Sequence, residues 1–186
     1  MSLPHALLTA LVERSSSGLE LSARFDKSIG LFWHATHQQI YRELAYLEQQ
    51  GWVESVAAPS ARGRKRVYRV LPAGRRELRR WAGEAEDPKP SRNDLMLRMR
   101  AEAALGKTGV DVDIERRLAL HRERLAQYRE IERRDFSGPG RTRENRIQHL
   151  ILLAGIMTQQ MWIEWSEIAL EQLRQGDDED SHRREA

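Results

Sequence analysis

The stretch THQQIYRELAYLEQQG, residues 36–51, decides the fold of this chain. Thr36 is followed three residues later by Gln39, which is the spacing of a capping box at the start of a helix. Apolar residues then recur at intervals of four and three, at Ile40, Leu44 and Leu47. Gly51 is the residue type that most often follows the end of a helix. The stretch therefore predicts an amphipathic helix over residues 37–50.

The opposite face of this helix carries side chains that can contact nucleic acid. At 100° per residue, Gln38, Arg42 and Ala45 lie opposite the apolar positions, with Tyr41 on the flank. Glutamine can pair with adenine edges, and arginine can pair with guanine edges or phosphates. A solvated helix would expose the same residue types, so this face alone leaves both interpretations open.

The elements around this helix predict a winged helix-turn-helix. Two helices precede it and two strands follow it, at residues 3–13, 17–25, 52–56 and 65–71. Residues 15–18, Ser-Ser-Ser-Gly, predict a turn, and residues 57–64 predict a loop with a basic tip. In this fold the third helix enters the major groove and the wing contacts the DNA backbone. The order predicts DNA binding, against the alternative of a domain that binds no DNA.

The charge of the chain is concentrated near the predicted wing. The 186 residues carry a net charge of +3, but residues 55–81 hold nine basic residues and one acidic residue, Glu77. An excess of this size is a plausible footprint for a polyanion. A solvated arginine-rich surface is the alternative, and charge alone does not separate the two.

Composition excludes several other classes of protein. The absence of cysteine rules out disulfides, thiolate catalysis and cysteine-ligated metal. No apolar run approaches the ~20 residues of a membrane span, and the first residues do not resemble a secretory signal, so we expect a cytoplasmic protein. No phosphate-binding loop, dinucleotide fingerprint or nucleophile elbow occurs, so we expect no enzyme and no cofactor. His34 and His37 lack a third ligand nearby, which disfavours a metal site.

The N-terminal half resembles the PadR family of bacterial transcriptional regulators over residues 3–82. The resemblance rests on residues 32–44, on Leu47-Glu48 and Gly51, and on a basic wing segment followed by Pro72-Ala-Gly74. Ser17 to Leu21 and Trp81 also fit the pattern. The family commonly has threonine where this chain has Leu71-Pro72, which could shorten the wing strand.

The resemblance implies a repressor that binds a palindromic operator as a homodimer and that, in some members, is released by a small aromatic effector. By position, the family's recognition-helix and wing regions correspond to Thr36, Gln38, Gln39, Tyr41, Arg42, Arg64, Lys65 and Arg66, and the predicted DNA contacts also include His37 and Arg62. We expect these residues to contact double-stranded DNA.

The C-terminal half predicts long helices. They span residues 94–105, 114–131 and 142–174, and the second has a coiled-coil-like seam at Ile114, Leu118, His121, Leu125 and Tyr128. The order and the lengths of these helices are similar to those in the dimerisation domain of the virulence-activator-related branch of the family. We expect a DNA-binding domain at 1–85, a linker at 86–91, a dimerisation domain at 92–175 and a disordered tail at 176–186.

The last of these helices has an apolar stripe wider than one neighbouring helix would cover. Its apolar residues include Ile147, Leu150, Ile151, Leu153, Ala154, Ile156, Met157, Met161, Trp162, Ile163, Trp165 and Ile168. A self-complementary dimer face accounts for this width. A sharper hypothesis places an aromatic effector against Met161, Trp162 and Trp165, or near Trp33 and Trp81, with core or interface packing as the favoured alternative.

Together these observations predict a mainly α protein with a small two-stranded β wing, formed by a winged helix-turn-helix and a helical dimerisation domain. The predicted function is transcriptional regulation by a homodimer. The alternative is a helical protein-interaction module with weak, non-specific DNA binding.

Overall fold

The computed structural model describes residues 3–27, 35–57, 66–87, 92–138 and 142–185, and side chains as far as residue 175. The chain forms two compact units, residues 1–89 and residues 90–186. The elements in chain order are α1 (Leu3–Glu13), β1 (Ser16–Ser17), α2 (Gly18–Lys27), α3 (His37–Gln49), β2 (Val53–Ala57), β3 (Arg66–Val70), α4 (Pro72–Ala82), α5 (Asp94–Leu105), α6 (Val110–Asp135) and α7 (Arg143–Glu185).

The core of the first unit lies between α1, α2, α3 and the sheet. Its fully buried side chains come from every one of these elements and include Leu7, Leu11, Leu21, Phe25, Ile40, Leu44, Leu47 and Val53. The periodic apolar positions of α3 are therefore all inside, as the sequence predicts. Burial of each such side chain stabilises the fold by about 1.5–3 kcal/mol relative to an exposed one.

The sheet has three strands, where the sequence predicts two. The antiparallel order is β1-β3-β2, with Ser16 paired to Tyr68 and Ser17 paired to Val67. The predicted turn at residues 15–18 was therefore wrong in part, because Ser16 and Ser17 complete the backbone hydrogen bonds on the free edge of β3. Two serines have no alternating apolar pattern, so nothing local marks them as a strand.

Two helix starts in this unit follow local rules. The capping box of α3 forms, with Gln39 N donating to Thr36 Oγ1 at 3.2 Å and Thr36 N donating to Gln39 Oε1 at 2.8 Å. α4 begins with Pro72. Proline is tolerated there because the first N–H groups of a helix have no hydrogen-bond acceptor within the helix. Gly51 adopts φ +66°, which lets the chain leave α3 and enter β2 in a tight turn.

The second unit is built on the pairing of α6 and α7. The seam that the sequence predicts on α6 is confirmed, since Ile114, Leu118 and Tyr128 are buried and His121 and Leu125 are half-buried. α7 continues to Glu185, where the sequence predicts a disordered tail from residue 176. The sequence spaces Glu179 and Asp180 four residues before Arg183 and Arg184, an order that favours a helix.

The wide apolar stripe of α7 divides into two faces. One is buried against the second unit's own core and includes Leu152, Ile156, Gln159, Ser166, Ala169 and Leu170. The other is exposed and consists of Ile147, Leu150, Ile151, Ala154, Met157, Met161 and Ile168, which we call the outer α7 face. Met157 is 68% exposed and Leu150 is 63% exposed. Within the described residues, no helix has the combination of length and hydropathy required to cross a bilayer.

Candidate nucleic-acid interface

The exposed face of α3 is a polar surface on a rigidly held helix. Ile40, Leu44 and Leu47 fix one side of the helix in the core, which leaves Gln38, Tyr41, Arg42 and Ala45 at the surface. Gln38 makes no side-chain hydrogen bond within the described residues. The acidic neighbour of Arg42 is Glu43, and the distance from Arg42 Nε to Glu43 Oε1 is 3.8 Å, longer than a hydrogen bond. The amide and the guanidinium are therefore available to a ligand.

Thr36 and Gln39 have a different place in the structure. The Thr36 hydroxyl and the Gln39 carbonyl oxygen are both engaged in the capping box, although both residues are exposed at the start of α3. Their position beside Gln38 is that of the predicted recognition region, but their hydrogen bonds stabilise the helix start. His37 is exposed and lies in the first turn.

Tyr41 is held against the start of α2. A Cβ atom added to Gly18 would lie 2.5 Å from Tyr41 Cε1 and 2.9 Å from Tyr41 Cζ, so the ring packs where only glycine leaves room. The ring is still 48% exposed. The structure thus fixes an aromatic side chain at the edge of the polar face of α3.

The strands β2 and β3, from which the predicted wing extends, pack near α3. Ala57 pairs with Arg66 at the end of the β2–β3 ladder, and residues 58–65 connect the two strands. The predicted wing residues Arg62, Arg64 and Lys65 lie outside the described residues. Arg66 is exposed, and its Nη2 atom donates to the Ser55 carbonyl at 3.4 Å.

The basic excess around the wing separates into paired and unpaired groups. Arg69 forms an ion pair with Glu54, its partner across the ladder, with Nε–Oε1 at 2.6 Å. Arg80 pairs with Glu77 and Glu84. The exposed arginines of α4 that have no acidic partner within the described residues are Arg75, Arg76 and Arg79. α4, which carries these three arginines, packs against α1 and β3.

The pKa of Tyr68, the central residue of β3, depends on charged groups from both α3 and β3. Burial raises the pKa of Tyr68, and the negative charge of Glu48 raises it further, while Arg66 opposes the shift. Tyr68 therefore stays a neutral phenol close to α3. Glu48 was not singled out as a site residue from the sequence, although it falls about 20° around the helix from Tyr41.

The described residues among the predicted effector residues belong to both units. Trp81 stacks on His5 with ring centroids 4.6 Å apart, whereas Trp33 lies outside the described residues. In the second unit, Trp162 stacks on His121 at 5.9 Å and meets Trp165 edge-on at 5.6 Å. Both tryptophans pack against the buried core of that unit, while Met161 is 49% exposed on the outer α7 face.

A cavity of about 220 Å³ does occur in the second unit, away from these tryptophans. It is lined by Arg98, Ala101, Thr108, Gly109, Val110 and Asp113. Of the residues that the structure describes, no three histidines or carboxylates come together in an arrangement that could hold a metal ion.

A capped recognition-type helix, a small antiparallel sheet and a separate unit of long helices define a transcriptional regulator of the winged-helix class. The profile of the Transcriptional regulator PadR-like family matches residues 7–80, and that of the Virulence activator alpha C-term family matches residues 91–174. The Mycobacterium tuberculosis protein named Probable transcriptional regulator Rv1176c is 36% identical over 94% of this chain and 99% of its own length. The chain belongs to the PadR-like family of transcriptional regulators.

Relatives of known structure share this fold. The Vibrio cholerae virulence activator AphA is 30% identical, covers 93% of this chain and 98% of its own chain, and superposes with a TM-score of 0.80. Bacillus subtilis PadR, solved in complex with operator DNA, is 22% identical and also gives a TM-score of 0.80, with 91% of this chain and 97% of its own covered. The family consists of regulators, which confirms that this protein is not an enzyme.

Proposed function

We propose that this protein is a sequence-specific DNA-binding repressor that acts as a homodimer on a palindromic operator. The observation that carries the proposal is the outward face of α3, where Gln38 has no partner within the described residues and Arg42 has only a distant one. In this interpretation α3 reads base edges in the major groove, while Arg66 and the basic residues between β2 and β3 contact phosphates.

The outer α7 face supports the dimer. Its exposed apolar residues repeat at intervals of three and four from Ile147 to Met161, the spacing that two helices need to pack along a shared seam. A contiguous apolar strip of this length is unusual on the surface of a monomer. A second copy of the chain presents the same strip, so a twofold axis would cover both.

Twofold pairing also explains how one short helix could be specific. Two copies of α3 would contact half-sites about 34–36 Å apart, one turn of the double helix, and the operator would be palindromic. Repression is the proposed sign of regulation because Bacillus subtilis PadR, 29% identical over 52% of this chain and 54% of its own length, is named a negative transcriptional regulator.

Selection from randomised duplex DNA tests the proposal. The full chain is mixed with random duplexes, bound fragments are recovered over several rounds, and the enriched sequences are aligned. We expect two inverted half-sites with centres one helical turn apart, and lower expression of a reporter whose promoter overlaps that sequence. Weak binding without an enriched sequence would instead favour the helical protein-interaction module.

We further propose that a small aromatic compound releases the DNA. Bacillus subtilis PadR has been solved in complex with p-coumaric acid, and that structure supplies the first probe to use here. We expect one compound to quench tryptophan emission and to weaken operator binding by about 1–3 kcal/mol on the same samples. Quenching without a change in DNA affinity would indicate binding to an apolar surface that does not regulate.

A further inference from the structure

Glu48 ties the recognition-type helix to the wing strands. It lies in the last turn of α3, and its Oε1 atom accepts two hydrogen bonds from Ser55, from the backbone N–H at 3.0 Å and from Oγ at 2.5 Å. Ser55 is the central residue of β2 and pairs with Tyr68 of β3. One carboxylate oxygen therefore connects α3 to the middle of the β2–β3 ribbon.

The same oxygen faces a wing cation. Arg66 Nη2 lies 3.6 Å from Glu48 Oε1 while it donates to the Ser55 carbonyl at 3.4 Å. Arg66 is the first residue of β3 and directly follows residues 58–65, which lie outside the described residues. In the free protein the Arg66 guanidinium therefore lies close to the carboxylate at the end of α3.

We propose that Glu48 is a positioning residue of the DNA interface. Through Ser55 it fixes the angle between α3 and the wing strands, and it holds Arg66 until a phosphate takes the place of the carboxylate. The inference rests on the proposed DNA binding, and it assigns to Glu48 a share in sequence discrimination although the side chain need not touch a base.

The two effects of Glu48 have opposite signs, which makes them separable. A carboxylate at a surface that binds a polyanion repels every duplex about equally, so its charge lowers affinity without regard to sequence. The connection to Ser55 instead orders the two contacting elements and favours the one sequence that fits both. Removing the charge and removing the connection should therefore give different results.

Two substitutions at Glu48 separate the effect of its charge from the effect of its hydrogen bonds to Ser55. Glu48→Gln keeps an oxygen that can accept from Ser55 but removes the charge. It should raise affinity about 3- to 10-fold for the selected site and for random duplexes alike, and steepen the salt dependence by about one unit as Arg66 gains a phosphate. Glu48→Ala removes the connection as well, so the ratio of specific to random affinity should fall about 10-fold or more.

Ser55→Ala and Glu54→Gln complete the set. Ser55→Ala should lower the specificity ratio about 2- to 5-fold with no change in the salt slope, and should add little to Glu48→Ala because both remove one connection. Glu54 is the matched control, since its carboxylate and that of Glu48 are both 37% exposed and each pairs with an arginine of β3. Within the described residues Glu54 makes no hydrogen bond to α3, so Glu54→Gln should leave the specificity ratio within twofold.

Specificity ratios and thermal melting are measured on the same full-length proteins. Equal ratios for Glu48→Gln and Glu48→Ala would overturn the positioning role and leave only a charge effect. If Glu48→Ala melts at a lower temperature than the parent, Ser55→Ala decides instead, and an unchanged specificity ratio in Ser55→Ala would also overturn the positioning role. If the unsubstituted chain shows no preference among duplexes, the proposed function fails first and this inference fails with it.

Discussion

Gly18 and Tyr41 fit together so closely that no side chain can be added at Gly18 while the tyrosine ring stays where it is. The position of a Cβ on Gly18 is 2.5 Å from Tyr41 Cε1, well inside van der Waals contact. Gly18 opens α2 and Tyr41 belongs to α3, so this contact determines how an aromatic group stands at the edge of the proposed DNA surface.

Gly18→Ala should therefore turn the Tyr41 ring without unfolding the protein. The ring is half exposed and can rotate away, so we expect the free energy of unfolding to change by less than about 1 kcal/mol. Affinity for the selected operator should fall about as much as in Tyr41→Ala, measured by fluorescence anisotropy. An operator affinity equal to that of the unsubstituted chain would show that the orientation of Tyr41 has no part in binding.

Gln38→Ala should relax base preference. Loss of one amide pairing to a base edge should cost about 1–3 kcal/mol on the best site and much less on random DNA. Gln50→Ala removes the same group from the C-cap of α3, outside the polar face, and should have no such effect. Arg66→Ala should weaken all duplexes about equally. The reverse pattern, with Arg66 changing the preferred sequence and Gln38 neutral, would exchange the proposed roles of helix and wing.

Met157→Glu should separate the dimer. Burying a carboxylate in an apolar seam is strongly unfavourable, because the charge loses its hydration. We expect a monomer by light scattering after size exclusion, together with a large loss of operator affinity as the second half-site contact disappears. Gln160→Glu adds the same charge at an exposed position about 110° around the helix from the centre of the outer α7 face, and this protein should remain dimeric. If the Met157→Glu protein remains dimeric, the dimer interface is not the outer α7 face.

Glu77 should make the stability of the chain depend on pH in the acid range. Hydrogen bonds from Arg80 and His5 lower the pKa of Glu77 from 4.5 to about 2, since both favour the carboxylate. A depressed pKa contributes stability that is present above pH 4.5 and lost as the pH falls toward 2.

Glu77→Gln should accordingly be less stable than the parent at pH 6, by on the order of 1 kcal/mol, and the difference should vanish near pH 2. Urea unfolding at a series of pH values measures it. Glu84→Gln, which alters an exposed partner of the same arginine, is the control and should show a much weaker pH dependence. A difference that stays constant down to pH 2 would contradict the assignment.

Gly155→Ala should destabilise the second unit although alanine favours helix. The added Cβ would lie 2.9 Å from Cε2 of Tyr128, whose ring is only 3% exposed and has little room to move. The overpacking cost of about 1–3 kcal/mol should exceed the ~1 kcal/mol gained in helix propensity. In a Tyr128→Leu background the same change should become stabilising. Thermal unfolding of the parent, the two single variants and the double variant gives the coupling energy between residues 155 and 128.

The parts of this structure that depend on local interactions could be predicted from the sequence. The start of α3 follows from Thr36 and Gln39, which bond each other's backbone within one turn, and α4 begins at Pro72 for a reason confined to that residue. The buried positions of α3 and the seam of α6 follow from helical periodicity. The width of the apolar stripe on α7 indicated two packing faces, and two faces are present.

Tertiary structure alone decided the rest, because the contacts join residues whose spacing carries no pattern. Ser16 and Ser17 become a strand only because the edge of β3, about fifty residues later, offers them hydrogen bonds. Glu48 resembles any solvated acid on a helix until Ser55 and Arg66 are brought beside it. Trp162 and Trp165 pack into the core because α6 covers that side of α7, while Met161 remains outside. Sequence periodicity determines which face of an element is apolar, but the partner that each side chain meets depends on how the elements pack.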